Sequence, residues 1–241
     1  MKEVVFKIKE NKLIAKDVYR LVLLGDSKDI TRPGTFVSLK IDNYYLRRPI
    51  SVCDVNNNQL TLIYKVMGKG TNALTKMKQK INVLTNLGNG YDLKEAGKVN
   101  LLVGGGVGVP PLYYLAKALL KKKKKVIVVL GFNKKEEIFY VNEFKRLGVK
   151  VYVTTVDGSV GLKGFVTDAI KQIKFDQLFT CGPMPMLKAI HALKIKHAQY
   201  SLEERMGCGF GVCLGCTIQT KLGPSRVCTD GPVYKEEEII W

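Results

Sequence analysis

Four of the six cysteines lie between Cys208 and Cys228, in the stretch CGFGVCLGCTIQTKLGPSRVC. Thiols grouped in this way can hold a metal ion, an iron–sulfur cluster or one another. The order is CxxxxCxxC followed by a more distant fourth cysteine, interleaved with Gly207, Gly209, Gly211 and Gly215. Structural zinc sites present two short knuckles well apart in sequence, so three ligands in one tight loop fit zinc poorly. The spacing is that of a [2Fe–2S] site, and the glycines permit left-handed turns that wrap backbone amides around cluster sulfides. Cys208, Cys213, Cys216 and Cys228 are the expected ligands, with zinc or a disulfide as the alternatives.

Two other motifs have the chemistry to bind phosphate. In VGGGVGVPP, from Val103 to Pro111, Gly104, Gly105, Gly106 and Gly108 follow an expected strand and Pro110 opens an expected helix. Glycines here let a pyrophosphate approach backbone N–H groups at a positive helix end. The run is not a full GxGxxG, and it does not choose between NAD and NADP. No acid directly ends Val126 to Leu130, and Lys134 and Lys135 would accept a 2′-phosphate. Earlier, RRPIS (Arg47 to Ser51) offers two guanidinium groups for bidentate phosphate contacts, with Ser51 able to donate to a flavin ring atom. Lys69-Gly70-Thr71-Asn72 opens a helix-like stretch whose first amides suit the other side of a pyrophosphate.

Cys181 ends a strand and opens CGPMPM, so it either faces a nicotinamide or packs as a buried thiol. Cys53 reads as a small core residue. His191 and His197 read as surface residues, and no general acid–base constellation appears.

The elements that must position these residues change character along the chain. Residues 1–97 carry short alternating runs (Val4 to Ile8, Val18 to Leu24, Thr35 to Ile41, Ile50 to Asp54, Leu60 to Val66), which predict an antiparallel β-barrel. Residues 98–200 alternate apolar strands with helical stretches, the pattern of a doubly wound α/β domain with a parallel sheet. Residues 201–241 are Gly- and Cys-rich and hold too few apolar residues for a core of their own, so this segment needs a bound group or a partner.

Composition narrows the function further. The 241 residues are 46% hydrophobic, enough for two ordinary domains, and carry a formal net charge of +18. The N-terminal MKEVVFKIKENK lacks the apolar core of a signal peptide, and the glycines and prolines within Leu101 to Leu120 argue against a membrane span; a cytoplasmic protein is expected. In a reducing cytoplasm clustered cysteines favour metal over disulfide. Lys121 to Lys125 reads as a solvated helix end. No basic segment is interleaved with aromatics, so nucleic acid is not expected, while an acidic protein partner remains open.

The order RRPIS, IYKV, GKGT, GGGVGVPP, CGPMPM and then SLEERMGCGFGVCLGC with RVCTDGPVY resembles the ferredoxin-reductase-like flavoproteins, and among them the electron transfer subunits of dihydroorotate dehydrogenase B. The resemblance covers essentially the whole chain. It implies FAD at Arg48, Pro49, Ile50 and Ser51, at Ile63, Tyr64 and Lys65, and at Gly70 and Thr71. It also implies NAD over Gly104 to Gly108 with Cys181 and Gly182 near the nicotinamide, and a [2Fe–2S] cluster on the four cysteines. It implies a separate FMN-containing catalytic subunit, two of each in a heterotetramer, with electrons passing from dihydroorotate through the cluster and FAD to NAD+. A (β/α)8 barrel alone takes roughly 250 residues, so that catalytic unit must be another polypeptide. The alternatives are a related subunit of an NADH-dependent ferredoxin:NADP oxidoreductase or sulfide dehydrogenase, and, remotely, a zinc-stabilised nucleic-acid-binding module.

Overall fold

The computed structural model describes residues 1–241. Its first half is a closed antiparallel barrel of six strands: β1 (Lys2–Ala15), β2 (Val18–Leu24), β3 (Phe36–Leu39), β4 (Arg48–Asn56), β5 (Gln59–Lys65) and β6 (Lys80–Leu87), in the order β1-β2-β5-β4-β3-β6. Alternation drives it. In β1 Phe6 and Ile8 point inward while Lys7 and Lys9 point to solvent, and Leu21, Leu23, Val37, Leu39, Leu60 and Leu62 complete the interior. The helix α1 (Lys69–Leu74) lies between β5 and β6.

Five of these strands follow from the sequence pattern, and β6 is an addition. It carries Ile81 and Val83 inward but is interrupted by Lys80, Asn82 and Asn86, so its apolar face is short. Its pairing with both β1 and β3 is what closes the barrel and removes the sheet edges.

The second half is a sheet built from β7 (Val99–Gly105), β8 (Lys125–Phe132), β9 (Lys150–Thr155), β10 (Leu162–Lys163), β11 (Gln177–Cys181), β12 (Ala198–Ser201) and β15 (Val233–Lys235), ordered β10-β9-β8-β7-β11-β12-β15. All neighbours are parallel except β12 and β15. Helices α2 (Val109–Lys121) and α3 (Val141–Arg146) contribute to the core on one face, and α4 (Val166–Ile170) and α5 (Met184–His191) to the core on the other. α2 begins with Val109, Pro110 and Pro111, where the missing proline N–H costs nothing because the first helical amides have no partner within the helix.

The C-terminal segment adds a hairpin of β13 (Thr217–Thr220) and β14 (Gly223–Arg226) before β15. Its apolar residues do not form a separate core. Cys216, Val227, Cys228, Tyr234 and Ile239 join the cluster that contains Leu178, Leu187 and Tyr200. The segment is therefore anchored on the flank of the parallel sheet by burial. No helix is long and apolar enough to cross a membrane.

Candidate cofactor and nucleotide sites

RRPIS starts β4, and its two arginines separate at once. Arg47 is tied into the barrel: it donates to Asn82 Oδ1 at 2.8 Å and pairs with Glu3. Arg48 turns the other way. Its guanidinium lies 5.3 Å from the Tyr44 ring centroid and packs directly against Gly70, where any Cβ would collide with it. Tyr44 O–H donates to Lys69 O at 3.0 Å, and Thr71 Oγ1 accepts from Met67 N–H at 2.9 Å, which fixes the start of α1 beside that guanidinium. The structure thus brings Arg48, Gly70 and Thr71 together, a cationic fork beside backbone amides that suits a pyrophosphate. Tyr44 is the residue that sequence reasoning missed; three residues before the RRPIS run, it carries no motif of its own.

Pro49, Ile50 and Ser51 continue along β4, opposite Ser38, Val37 and Phe36 of β3. In β5 the side chains alternate, and Tyr64 is turned into the barrel core, where its hydroxyl donates to Asn11 Oδ1 at 2.9 Å. Only the main chain of Tyr64 is therefore free to meet a ligand, with Ile63 and Lys65 on the opposite face of the strand.

The glycine loop is a packing device as well as an opening. A Cβ at Gly108 would strike the Cys181 carbonyl, and one at Gly105 would stand 2.5 Å from Met186 Sδ. Gly182 is equally confined, 2.5 Å from Met186 Cε. These glycines let the end of β7 and the Cys181–Gly182 turn close on each other at the C-terminal edge of the sheet, between β7 and β11, the position where open α/β sheets bind nucleotides. Gly106, at φ +50°, faces open space and is the exposed point of the loop. Cys181 itself is buried. Burial, with the Glu203 carboxylate nearby, pushes its thiol up to about 12. Of the two sequence readings for Cys181, the side chain adopts the packed one, while its backbone borders the loop.

In the cysteine segment, Cys208 Sγ accepts from the amides of Phe210 at 3.5 Å, Val212 at 3.3 Å and Cys213 at 3.4 Å; Cys213 Sγ accepts from Cys208 N–H at 3.4 Å. Burial raises the Cys208 thiol, but these amides outweigh it and bring it down to about 6, the condition for a thiolate ligand. Cys228 lies beside Cys216, and burial together with that neighbour pushes it up to about 12. The thiols thus form two pairs, Cys208 with Cys213 and Cys216 with Cys228, with Cys208 also felt at Cys228.

No three His, Cys, Asp or Glu side chains converge to hold a single ion. Two adjacent thiol pairs with amide donors to the Cys208 and Cys213 sulfurs would hold a two-iron cluster and suit it better than tetrahedral zinc. Gly209 and Gly211, at φ +79° and +91°, make the loop, and Arg226 steadies it by donating to Gly211 O at 3.0 Å.

The cysteine loop passes close to the barrel at Gly209. A Cβ at Gly209 would stand 3.9 Å from Ser38 Oγ and 4.0 Å from Phe36 Cε2. Both residues belong to β3, the strand paired with Pro49 and Ser51. Of the two histidines, His197 is exposed as expected, whereas His191 is half-buried, pairs with Glu236 and stacks on Trp241 at 4.7 Å.

Comparison with known proteins agrees with this arrangement. The iron–sulfur cluster binding domain of dihydroorotate dehydrogenase B matches residues 203–240, and the oxidoreductase NAD-binding domain matches residues 102–192. The electron transfer subunit of dihydroorotate dehydrogenase B (NAD(+)) from Fusobacterium nucleatum is 44% identical, covering 96% of each chain. That of Geobacillus sp. (strain WCH70) is 45% identical, covering 100% of this chain and 99% of its own. Among solved structures, an NADH-dependent reduced ferredoxin-NADP oxidoreductase superposes with a TM-score of 0.87 at 34% identity, covering 98% of this chain and 90% of the other. Phthalate dioxygenase reductase shares the fold at a TM-score of 0.68 and 18% identity, covering 85% of this chain and 70% of its own. With near-complete coverage at this identity, the chain belongs to the family of electron transfer subunits of NAD(+)-linked dihydroorotate dehydrogenase B.

Proposed function

We propose that this chain receives electrons from dihydroorotate oxidation in a separate FMN-containing catalytic subunit and delivers them to NAD+ through a [2Fe–2S] cluster and FAD, in the cytoplasm and in the pathway to pyrimidine nucleotides. Two copies of each subunit would assemble as a heterotetramer. The observation that carries the reading is the approach of Gly209 to Phe36 and Ser38, close enough that a Cβ there would meet both, which brings the cysteine loop near the strand paired with the RRPIS strand.

Bound together, the cluster supplies one-electron transfer and the flavin converts it to the two-electron hydride chemistry of nicotinamide. The chain's own residues do the positioning. Arg48 and the first amides of α1 hold the FAD pyrophosphate, Pro49 to Ser51 and Ile63 to Lys65 border the ring system, and Gly70 and Thr71 keep the fork open. Gly104 to Gly108 and the Cys181–Gly182 turn seat the dinucleotide over the sheet edge. The four cysteines would hold the cluster, with the amides of Phe210, Val212 and Cys213 stabilising charge on the Cys208 sulfur. Three units are proposed for these tasks: 1–97 for FAD, 98–200 for NAD and 201–241 for the cluster.

Purification without oxygen followed by a visible spectrum tests the reading. Flavin bands near ~450 nm with broad iron–sulfur absorption, both bleached by NADH, are expected. A colourless, zinc-containing product overturns it. The 34% identity to an NADH-dependent reduced ferredoxin-NADP oxidoreductase favours one second reading, a flavin and iron–sulfur subunit of such an enzyme. Co-purification with an FMN-containing dihydroorotate-oxidising partner decides for the first.

A further inference from the structure

The positive charge of this chain is not spread evenly. Five neighbouring parallel strands each begin at a lysine or a few residues after one: Lys150 opens β9, Lys125 opens β8, Lys98 precedes β7, Lys174 precedes β11 and Lys196 precedes β12. All five are exposed and none takes part in any of the ion pairs, although acids pair with lysines elsewhere, as in Lys2 with Asp26 and Lys16 with Glu136. Lys121, Lys122 and Lys123 at the end of α2 are exposed on the same side. Topology gathers them: parallel strands all start at one end of the sheet, and the helices that return the chain finish there too. With strands about 4.8 Å apart, the five strand lysines form a row roughly 20 Å long. Two of the acids nearby are already engaged, while the exposed Glu237 lines a cavity with Lys196 and offsets charge only at the β12 end of the row. Asp176 accepts from Val99 N–H at 2.7 Å, and Glu95 pairs with Lys235.

We propose that this edge is a docking face for an acidic protein surface, such as a helix presenting carboxylates at every third or fourth position, whose spacing of about 5–6 Å matches the row. A nucleic acid fits less well. The edge carries no fully exposed large apolar side chain for base stacking; its one aromatic, Tyr152, is half-buried with the Lys150 ammonium 4.8 Å over its ring, and the arginine close by, Arg146, pairs with Glu143. The same lack of an apolar wedge disfavours a membrane surface. Lysine carboxylate contacts at full exposure are individually weak and screened by salt, so the dock is a transient one. It also lies at the end of the strands opposite Gly104 to Gly108, so an occupant leaves the nucleotide loop free.

The test uses the full chain with its cofactors and fluorescently labelled poly-L-glutamate as the probe, titrated at ~50 mM and ~200 mM salt. Two variants carry the same charge loss: one changes Lys98, Lys125, Lys150, Lys174 and Lys196 to Gln, the other changes the exposed barrel lysines Lys7, Lys28, Lys40, Lys76 and Lys78 to Gln. The edge variant should lose affinity by about tenfold or more at low salt and the barrel variant by no more than about twofold, both keeping NADH-dependent bleaching. Equal losses in the two variants overturn the proposal, since net charge alone then explains binding. Tighter binding of oligouridine, or of vesicles of phosphatidylserine and phosphatidylcholine, than of poly-L-glutamate at the same salt overturns it as well.

Discussion

The guanidinium of Arg48 lies so close to Gly70 that any Cβ at that position would collide with it. Valine at position 70 would displace that fork, and Gly70→Val should weaken FAD retention by about tenfold or more, read by flavin fluorescence in a dilution series, with the barrel still folded. Gly108 makes the matching case in the sheet. Its missing side chain is what allows the Cys181 carbonyl to approach, so Gly108→Ala should cost about 1–3 kcal/mol of stability and raise the KM for NADH, while bound flavin remains. Thiol chemistry separates structural from ligand cysteines. Burial pushes Cys181 up to about 12 and raises Cys53 as well, so both stay protonated and shielded at neutral pH. Iodoacetamide applied to iron-depleted protein should label Cys208 and Cys213 readily and reach Cys53 and Cys181 only in denaturant, a pattern that peptide mass mapping reads directly. The RRPIS motif by itself offers both arginines, and the family resemblance points to Arg48 without giving the reason. Arg47 is taken by Glu3 and Asn82, on strands distant in the chain, and only the closed barrel reveals that.

At the scale of elements, strands with clean alternation and helices opened by proline were legible, and those whose reason is tertiary were not. β6 needs β1 and β3 on either side to make sense of its interrupted face, and β15 is only three residues long and exists because β12 offers it an edge. The chain end beyond β15 is held in the same non-local way: Trp241 stacks on His191 and meets Tyr200 edge-on at 4.8 Å. Neither contact leaves a periodic signal. Trp241→Ala removes both aromatic contacts and should lower stability by about 1–3 kcal/mol, seen as a lower Tm, with flavin content unchanged.

For the whole molecule, the barrel, the sheet and the cysteine segment meet so that the cysteine loop approaches β3, the strand paired with β4 and its RRPIS motif, while the loop's flanks are buried in the sheet's core. Cys213 is exposed and Cys208 partly so, whereas Cys216 and Cys228 are buried beside Val227 and Tyr234. That division predicts two responses to losing the metal. The loop from 207 to 215 is shaped by weak amide–sulfur contacts and has few buried neighbours, so it should open; β15 is paired to β12 and held by Asn89, whose amide donates to Val233 O at 2.7 Å and Asp230 O at 2.8 Å, so it should stay. Hydrogen exchange after iron chelation should therefore show protection lost at 207–215 and kept at 233–235. Cys213→Ser carries the same logic into function. It should reduce electron delivery from dihydroorotate in the assembled complex to below about 1% while NADH still bleaches the FAD. Loss of both reactions would show that the cysteine loop also builds the flavin site, and would remove the separation of roles between barrel and segment.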